Sequence, residues 1–204
     1  MNSENIAIEP HPLPPFAPPH TKLLMLGSFP PPRGRWKMDF YYPNFQNDMW
    51  RIFGLVFFGD KDYFVDTAAK TFREQAIRAF LNQAGIAVGD AAAQVRRLRG
   101  NASDRFLEVV QAVDLSELLT RLPQCQTVAF TGDKAAQILL PQLGAGAKLP
   151  TIAAPVTACC AGRELTLYRL PSSSRAYPLP LLQKAQAYRK VMAAASLPLY
   201  INLR

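Results

Sequence analysis

A four-residue apolar run, Leu23-Leu24-Met25-Leu26, is closed by Gly27 and followed at once by Ser28-Phe29-Pro30-Pro31-Pro32. The run is short, lacks the 3.6-residue spacing of a helix and stops at a glycine. It reads as a strand buried on both faces, the kind found in parallel α/β sheets. The prolines that follow fix φ and stiffen the next loop. That loop carries Arg33, Arg35 and Lys37 before its first acid, Asp39, then the aromatics Phe40-Tyr41-Tyr42, then side-chain amides that include Asn47. Ligands of open α/β sheets bind at the carboxyl ends of the strands, where this loop starts. Cationic groups beside aromatic faces suit a backbone phosphate and a stacked base, so nucleic acid is the leading ligand.

The rest of the chain extends the same architecture. Residues 48–57 read as a short helix capped by Asn47 or Asp48, and residues 66–84 as a longer amphipathic one ended by Gly85. Further strands are expected at Gly85–Val88, Gln126–Phe130 and Glu164–Leu170, and helices at 104–113, 116–122, 134–143 and 181–195. Strands alternating with helices predict an α/β fold: a three-layer α/β/α sandwich around a central, mostly parallel, four-stranded sheet. Asp90, at the carboxyl end of the second strand, reads as a loop-bracing residue. Arg96-Arg97-Leu98-Arg99 reads as a solvated basic edge.

Residues 1–21 hold six of the eighteen prolines and form a proline-rich leader, expected to be an extended strap or partly disordered. Residues 22–204 make a single domain. The leader lacks the basic-then-apolar order of a signal peptide, and no apolar stretch is long enough to span a membrane. Three cysteines without ligand spacing point to a reducing, cytoplasmic setting. Adjacent Cys159 and Cys160 are expected on opposite faces of a strand. The two histidines, His11 and His20, both lie in the leader, so a Ser-His-Asp hydrolase or a His-rich zinc site has no histidine in the core. Glycine-rich phosphate or dinucleotide loops are missing as well. The net charge of +8 favours a polyanionic partner.

Gly27-Ser28-Phe29-Pro30, then Tyr41-Tyr42, Asn47 and Trp50, together resemble the first motif of the uracil-DNA glycosylase superfamily. The likeness is closest to the mismatch-specific uracil and the hypoxanthine-DNA glycosylases. Leu170-Pro171-Ser172-Ser173-Ser174 is similar to the Pro-Ser loop that those proteins push into the duplex, and the two motifs bracket residues 22–192. The resemblance implies a parallel four-stranded α/β/α sandwich and hydrolysis of the N-glycosidic bond of a flipped, deaminated base. It also implies duplex DNA as partner, no metal and no cofactor, with the chain acting as a monomer. By the same resemblance the base would meet Gly27, Ser28, Phe29, Pro30 and Tyr42, and Asn47 would carry catalysis. Ser172, Ser173, Ser174 and Arg175 would meet DNA, joined by the basic residues Arg33, Arg35 and Lys37. The pattern is departed from at Pro31, which replaces a glycine; at Phe29, where many relatives carry Asn or Asp; and at Arg175, where a proline is usual. An iron–sulfur cluster of the kind some thermophilic relatives carry would need four cysteines.

Several of these residues serve a plain structural role equally well: Asn47 as a helix cap, Tyr42 as a core aromatic, Trp50 as a core anchor, Ser172–Ser174 as a turn. Asp39 is the carboxylate nearest the motif in sequence and the alternative catalytic group. Two other classes stay open. One is a protein of this fold that binds nucleic acid without cleaving it, which Phe29 and Pro31 favour. The other is a small-molecule hydrolase built on Ser28, which lacks a base.

Overall fold

Leu23 and Met25 face one side of the sheet and Leu24 and Leu26 the other, all fully buried, and this alternation divides the protein into layers. The computed structural model describes residues 6–100, 103–152 and 154–199. Strand β1 (Glu9–Pro10) and strand β2 (Leu23–Gly27) precede helix α1 (Met49–Phe58), and a small hairpin, β3 (Val65–Asp66) with β4 (Thr71–Phe72), leads into α2 (Glu74–Ala84). Strands β5 (Ile86–Asp90), β6 (Ala92–Arg97) and β7 (Leu107–Ala112) follow, then α3 (Leu115–Thr120), β8 (Thr127–Phe130) and α4 (Asp133–Leu139). The chain closes with β9 (Val156–Cys160), β10 (Arg163–Arg169) and α5 (Leu181–Ala194).

The central sheet has the order β5-β2-β8-β10-β9. Its first four strands are parallel and match the four expected from the sequence. A fifth corrects the strand count: β9 returns antiparallel along β10 through Ala161-Gly162, both at positive φ, as a tight two-residue hairpin requires. Cys160 is buried and Cys159 exposed, on opposite faces of β9. On one side α1, α2 and α5 bury Trp50, Phe53, Ile77, Leu81 and Tyr188 against Leu23 and Met25. On the other, α3 and α4 bury Leu115, Leu119, Ala136 and Leu139 against Leu24 and Leu26.

Two expected helices are corrected. The one drawn from residue 66 begins at Glu74, because Asp66–Phe72 turns back as the β3–β4 hairpin. The one drawn over 104–113 is a single 3-10 turn, Asp104–Phe106, followed by β7. Strand β7 pairs with β6, and β6 with β1, in a second, antiparallel sheet. This sheet also corrects the solvated basic edge: Arg96 pairs with Glu108 at 2.8 Å, and Arg97 is buried with its Nε 2.9 Å from Glu9. Residues 6–21 lie along the domain as a strap, with Phe16 and Val88 exchanging backbone hydrogen bonds at 3.0 and 2.9 Å. Among the described residues no helix is long and apolar enough to cross a membrane.

Candidate active site

Parallel strands point their carboxyl ends the same way, so the loops after β2, β5, β8 and β10 meet on one edge of the sheet. There they enclose a cleft of about 190 Å³. The residues that line it include Gly27 to Pro31, Tyr42, Asn47, Asp90, Thr131 and Ser172 to Ser174.

Gly27 is dictated by what packs on it. A Cβ there would lie 2.2 Å from Asp90 Oδ1 and 3.3 Å from the Tyr42 hydroxyl. Its carbonyl and that of Ser28 accept the N–H groups of Ala91 and Ala92 at 2.8 and 3.1 Å, fixing the loop to the start of β6. Ser28 Oγ donates to Asp104 Oδ1 at 2.6 Å; Asp104 itself is exposed, and partial desolvation of its carboxyl at the cleft wall raises it above the ordinary value. The Phe29 ring packs against Ala92, Val95 and Leu107 of the small sheet, edge-on to His11 at 5.2 Å. Pro30 offers its carbonyl to Arg97.

Tyr42 holds φ at +53°, a left-handed conformation that costs an aromatic residue of order 1–3 kcal/mol and recurs at ligand clamps. Its hydroxyl shares a hydrogen bond with Thr131 Oγ1 at 3.0 Å, and burial with the nearby Asp90 carboxylate pushes the phenol well above its ordinary value. The ring stands edge-on to Trp50, which is fully buried and donates Nε1–H to Tyr41 O at 3.1 Å. Trp50 is the core anchor; Tyr42 lines the cleft together with Phe29.

Asn47 sits one residue before the cap of α1, and its Oδ1 accepts the Met49 N–H at 2.8 Å. That contact fixes the amide's orientation, since only its oxygen accepts. The two Nδ2 hydrogens are left without a protein partner among the described residues. Asn47 also bridges Ser174, and Asp48 N donates to Ser173 O at 2.9 Å, so the two sequence motifs are stitched together along the backbone. Beneath them the Asp48 carboxylate takes Arg175 Nε at 3.0 Å and Lys184 Nζ at 3.1 Å, and Lys184 also donates to Ser174 O at 2.8 Å. Lys184 is 1% exposed and Asp48 7%. A charge so buried is tolerated only when paired, and this pair fixes the serine loop against the mouth of α1.

The basic residues fall into two groups. Arg35 lines the cleft and Lys37 is exposed close by in sequence. Arg33 pairs with Asp39 at 2.6 Å, both on the surface, and Arg175 is held by Asp48. Asp39 does not line the cleft. The carboxylates that do are Asp90 and Asp104. Asp90, read from the sequence as a loop-bracing residue at the end of β5, lines the cleft as well; Asp104 was hidden by the mistaken helix over 104–113. The strap supplies a further correction. His11 Nε2 lies 2.8 Å from Asp90 Oδ2, so a leader histidine stands directly behind the cleft.

No family model matches the chain, and no curated protein does. Its structure is similar to a solution NMR structure of a candidate uracil DNA glycosylase from Methanosarcina acetivorans. The TM-score is 0.61 over 93% of this chain and 99% of that one, at 20% sequence identity. The two share a fold.

Proposed function

We propose that this chain is a monofunctional DNA glycosylase that removes a flipped, deaminated base, uracil or hypoxanthine, from duplex DNA in base-excision repair. One observation carries the reading: a stacking aromatic, a donor amide with its oxygen already occupied and a serine loop converge on one cleft at the carboxyl edge of the sheet. The fold shared with the archaeal structure supports it.

In this reading the target base is rotated out of the duplex, which costs a few kcal/mol and least at a mismatch. Ser172–Ser174 follow it into the gap. Tyr42 stacks on the base, a contact worth about 1–3 kcal/mol. Arg35 and Lys37 meet flanking phosphates. Asn47 Nδ2 donates to the base carbonyl on which negative charge grows as the glycosidic bond breaks, and the N-terminal end of α1 adds partial positive charge. Water forms the new bond to the sugar carbon, the bonding pair leaves with the base, and the water's proton passes to a carboxylate. This reading assigns that role to Asp104, which lines the cleft and takes Ser28 Oγ–H on one carboxylate oxygen at 2.6 Å. The hydrolysis calls for no metal or cofactor. The proposed partner is DNA alone, met by a single copy of the chain in the cytoplasm.

The second reading, a protein that grips nucleic acid without cleaving it, is favoured by the Phe29 ring, which turns to the small sheet and leaves position 29 with no polar group. Duplexes with U, hypoxanthine or T opposite G, incubated with the protein and then treated with alkali, decide. Strand breaks at U or hypoxanthine support the glycosylase. Tight binding without breaks supports the alternative, and neither binding nor breaks overturns both.

A further inference from the structure

Asp90 and His11 form a buried pair that the mechanism above does not use. Their side chains are 7% and 10% exposed, and Asp90 lines the cleft. One carboxylate oxygen, Oδ2, receives His11 Nε2 at 2.8 Å; the other, Oδ1, lies against the Cα of Gly27 beside the Tyr42 hydroxyl. The other ring nitrogen of His11, Nδ1, has Leu13 O at 2.7 Å and Leu13 N at 3.1 Å. Nδ1 can therefore donate to the carbonyl when protonated or accept from the N–H when not. The Asp90 carboxylate accepts and cannot donate, so the contact at 2.8 Å selects the tautomer that carries its proton on Nε2. His11 is itself pinned, its N–H donating to Ala93 O at 2.8 Å and its ring stacked on Tyr41 at 5.8 Å.

We propose that the strap is a working part of the cleft: His11 is a positioning residue that holds Asp90 as the acceptor for the ring N–H of the flipped base. This rests on the glycosylase reading and adds to it what the site recognises. An ionised carboxylate only accepts hydrogen bonds, and the Asn47 amide, with its oxygen occupied, only donates. An acceptor and a donor in one cleft complement an edge that presents N–H beside C=O. Deamination creates that edge, by turning a ring acceptor beside an amino donor into a ring N–H beside a carbonyl. Intact cytosine or adenine presents the opposite pairing and would leave both Asp90 and Asn47 unpartnered. The Nε2–H bond from His11 also offsets part of the Asp90 charge, which otherwise faces a leaving group that is becoming an anion.

The test compares single-turnover cleavage of two duplexes, one with uracil opposite G and one with 3-methyluracil, which keeps the carbonyls but lacks the ring N–H. Wild-type protein is expected to prefer uracil about 10- to 100-fold, the range for one hydrogen bond to a charged group. Asp90→Ala and His11→Phe, which fills the space without an N–H, should compress that preference towards one. His11→Gln, which restores a donor, should recover it. A folding defect lowers both rates together and leaves their ratio intact, and should His11→Phe not fold, Asp90→Ala decides. Failure of the wild-type protein to cleave either duplex removes the glycosylase reading itself. Cleavage with the preference unchanged in Asp90→Ala or in folded His11→Phe overturns this inference alone.

Discussion

Replacing Asn47 by Asp separates two jobs that one side chain performs. Its Oδ1 accepts the Met49 N–H at 2.8 Å and so satisfies one of the orphan donors at the start of α1. Its Nδ2 carries the hydrogens assigned to the base carbonyl. Asn47→Ala loses both. The missing cap costs about 1 kcal/mol, which for a chain of 204 residues lowers Tm by about 2–4 °C. The missing donor lowers the single-turnover rate about 10²- to 10³-fold, the usual cost of one preorganised donor. Asn47→Asp keeps an acceptor at the same reach and should retain the wild-type Tm. It replaces the donor with a negative charge that repels the departing anion, so its rate should fall at least as far as that of Asn47→Ala. Scanning calorimetry reads the first quantity and alkali-gel kinetics on the uracil duplex the second. A folded Asn47→Asp variant that cleaves at the wild-type rate would refute the assignment and leave Asn47 a cap.

The same geometry sets the outcome of changes at Tyr42, at Lys184 and at the basic residues. Tyr42→Ala should weaken binding of an uncleavable damaged duplex by about 1–3 kcal/mol. Tyr42→Phe keeps the stack but removes the 3.0 Å bond to Thr131 Oγ1, leaving that hydroxyl its 3.4 Å bond to Leu26 O, so it should lower stability by about 1 kcal/mol in urea melts while leaving binding intact. Lys184→Met strips Asp48 of one of its two cationic partners and should destabilise the fold by about 3 kcal/mol, with Asp48→Leu in the same chain recovering part of the loss. Affinity for duplex should fall with log salt by roughly 0.9 per phosphate met. Arg35→Ala and Lys37→Ala should each flatten that slope by about one contact, while Arg175→Ala should show its main effect in melting, because Asp48 already holds that side chain.

The parallel sheet was legible because three of its strands are short apolar runs bounded by turn residues and the fourth, β10, alternates apolar with polar side chains, and local pattern suffices for both. The corrections concern pairing. Residues 107–112 carry enough apolar side chains at mixed spacing to pass for a helix, and only the partner β6 makes them a strand. Cys159 and Cys160 were expected in a strand, but Val156–Cys160 was left out of the sheet count, because only its pairing with β10 makes it an edge strand of that sheet. At the site, Gly27, Tyr42, Asn47 and Ser172–Ser174 were nameable because they lie in two contiguous motifs, and the structure brings them to one cleft. Asp39 was the alternative to Asn47 for its nearness in sequence, whereas the carboxylates in the cleft come from positions 90 and 104, brought there by strand order. His11 left no trace in the sequence as a site residue. Its meeting with Asp90 spans 79 positions and depends on the path of the strap.

That path also determines how the sheet ends. Strand β5 is the outer parallel strand, and an outer strand carries a row of backbone groups able to recruit any extended segment it meets. Phe16 occupies both groups of Val88, so the strap fills the first place in that row. The strap cannot pass the invitation on: Pro10, Pro12, Pro14, Pro15, Pro18 and Pro19 have no N–H to donate. The proline content thus acts as a terminator of sheet growth. A chain shortened to begin at Lys22 would present the bare flank of Ile86-Ala87-Val88 to its neighbours, and self-association along that flank would set in at concentrations where the full chain stays dispersed.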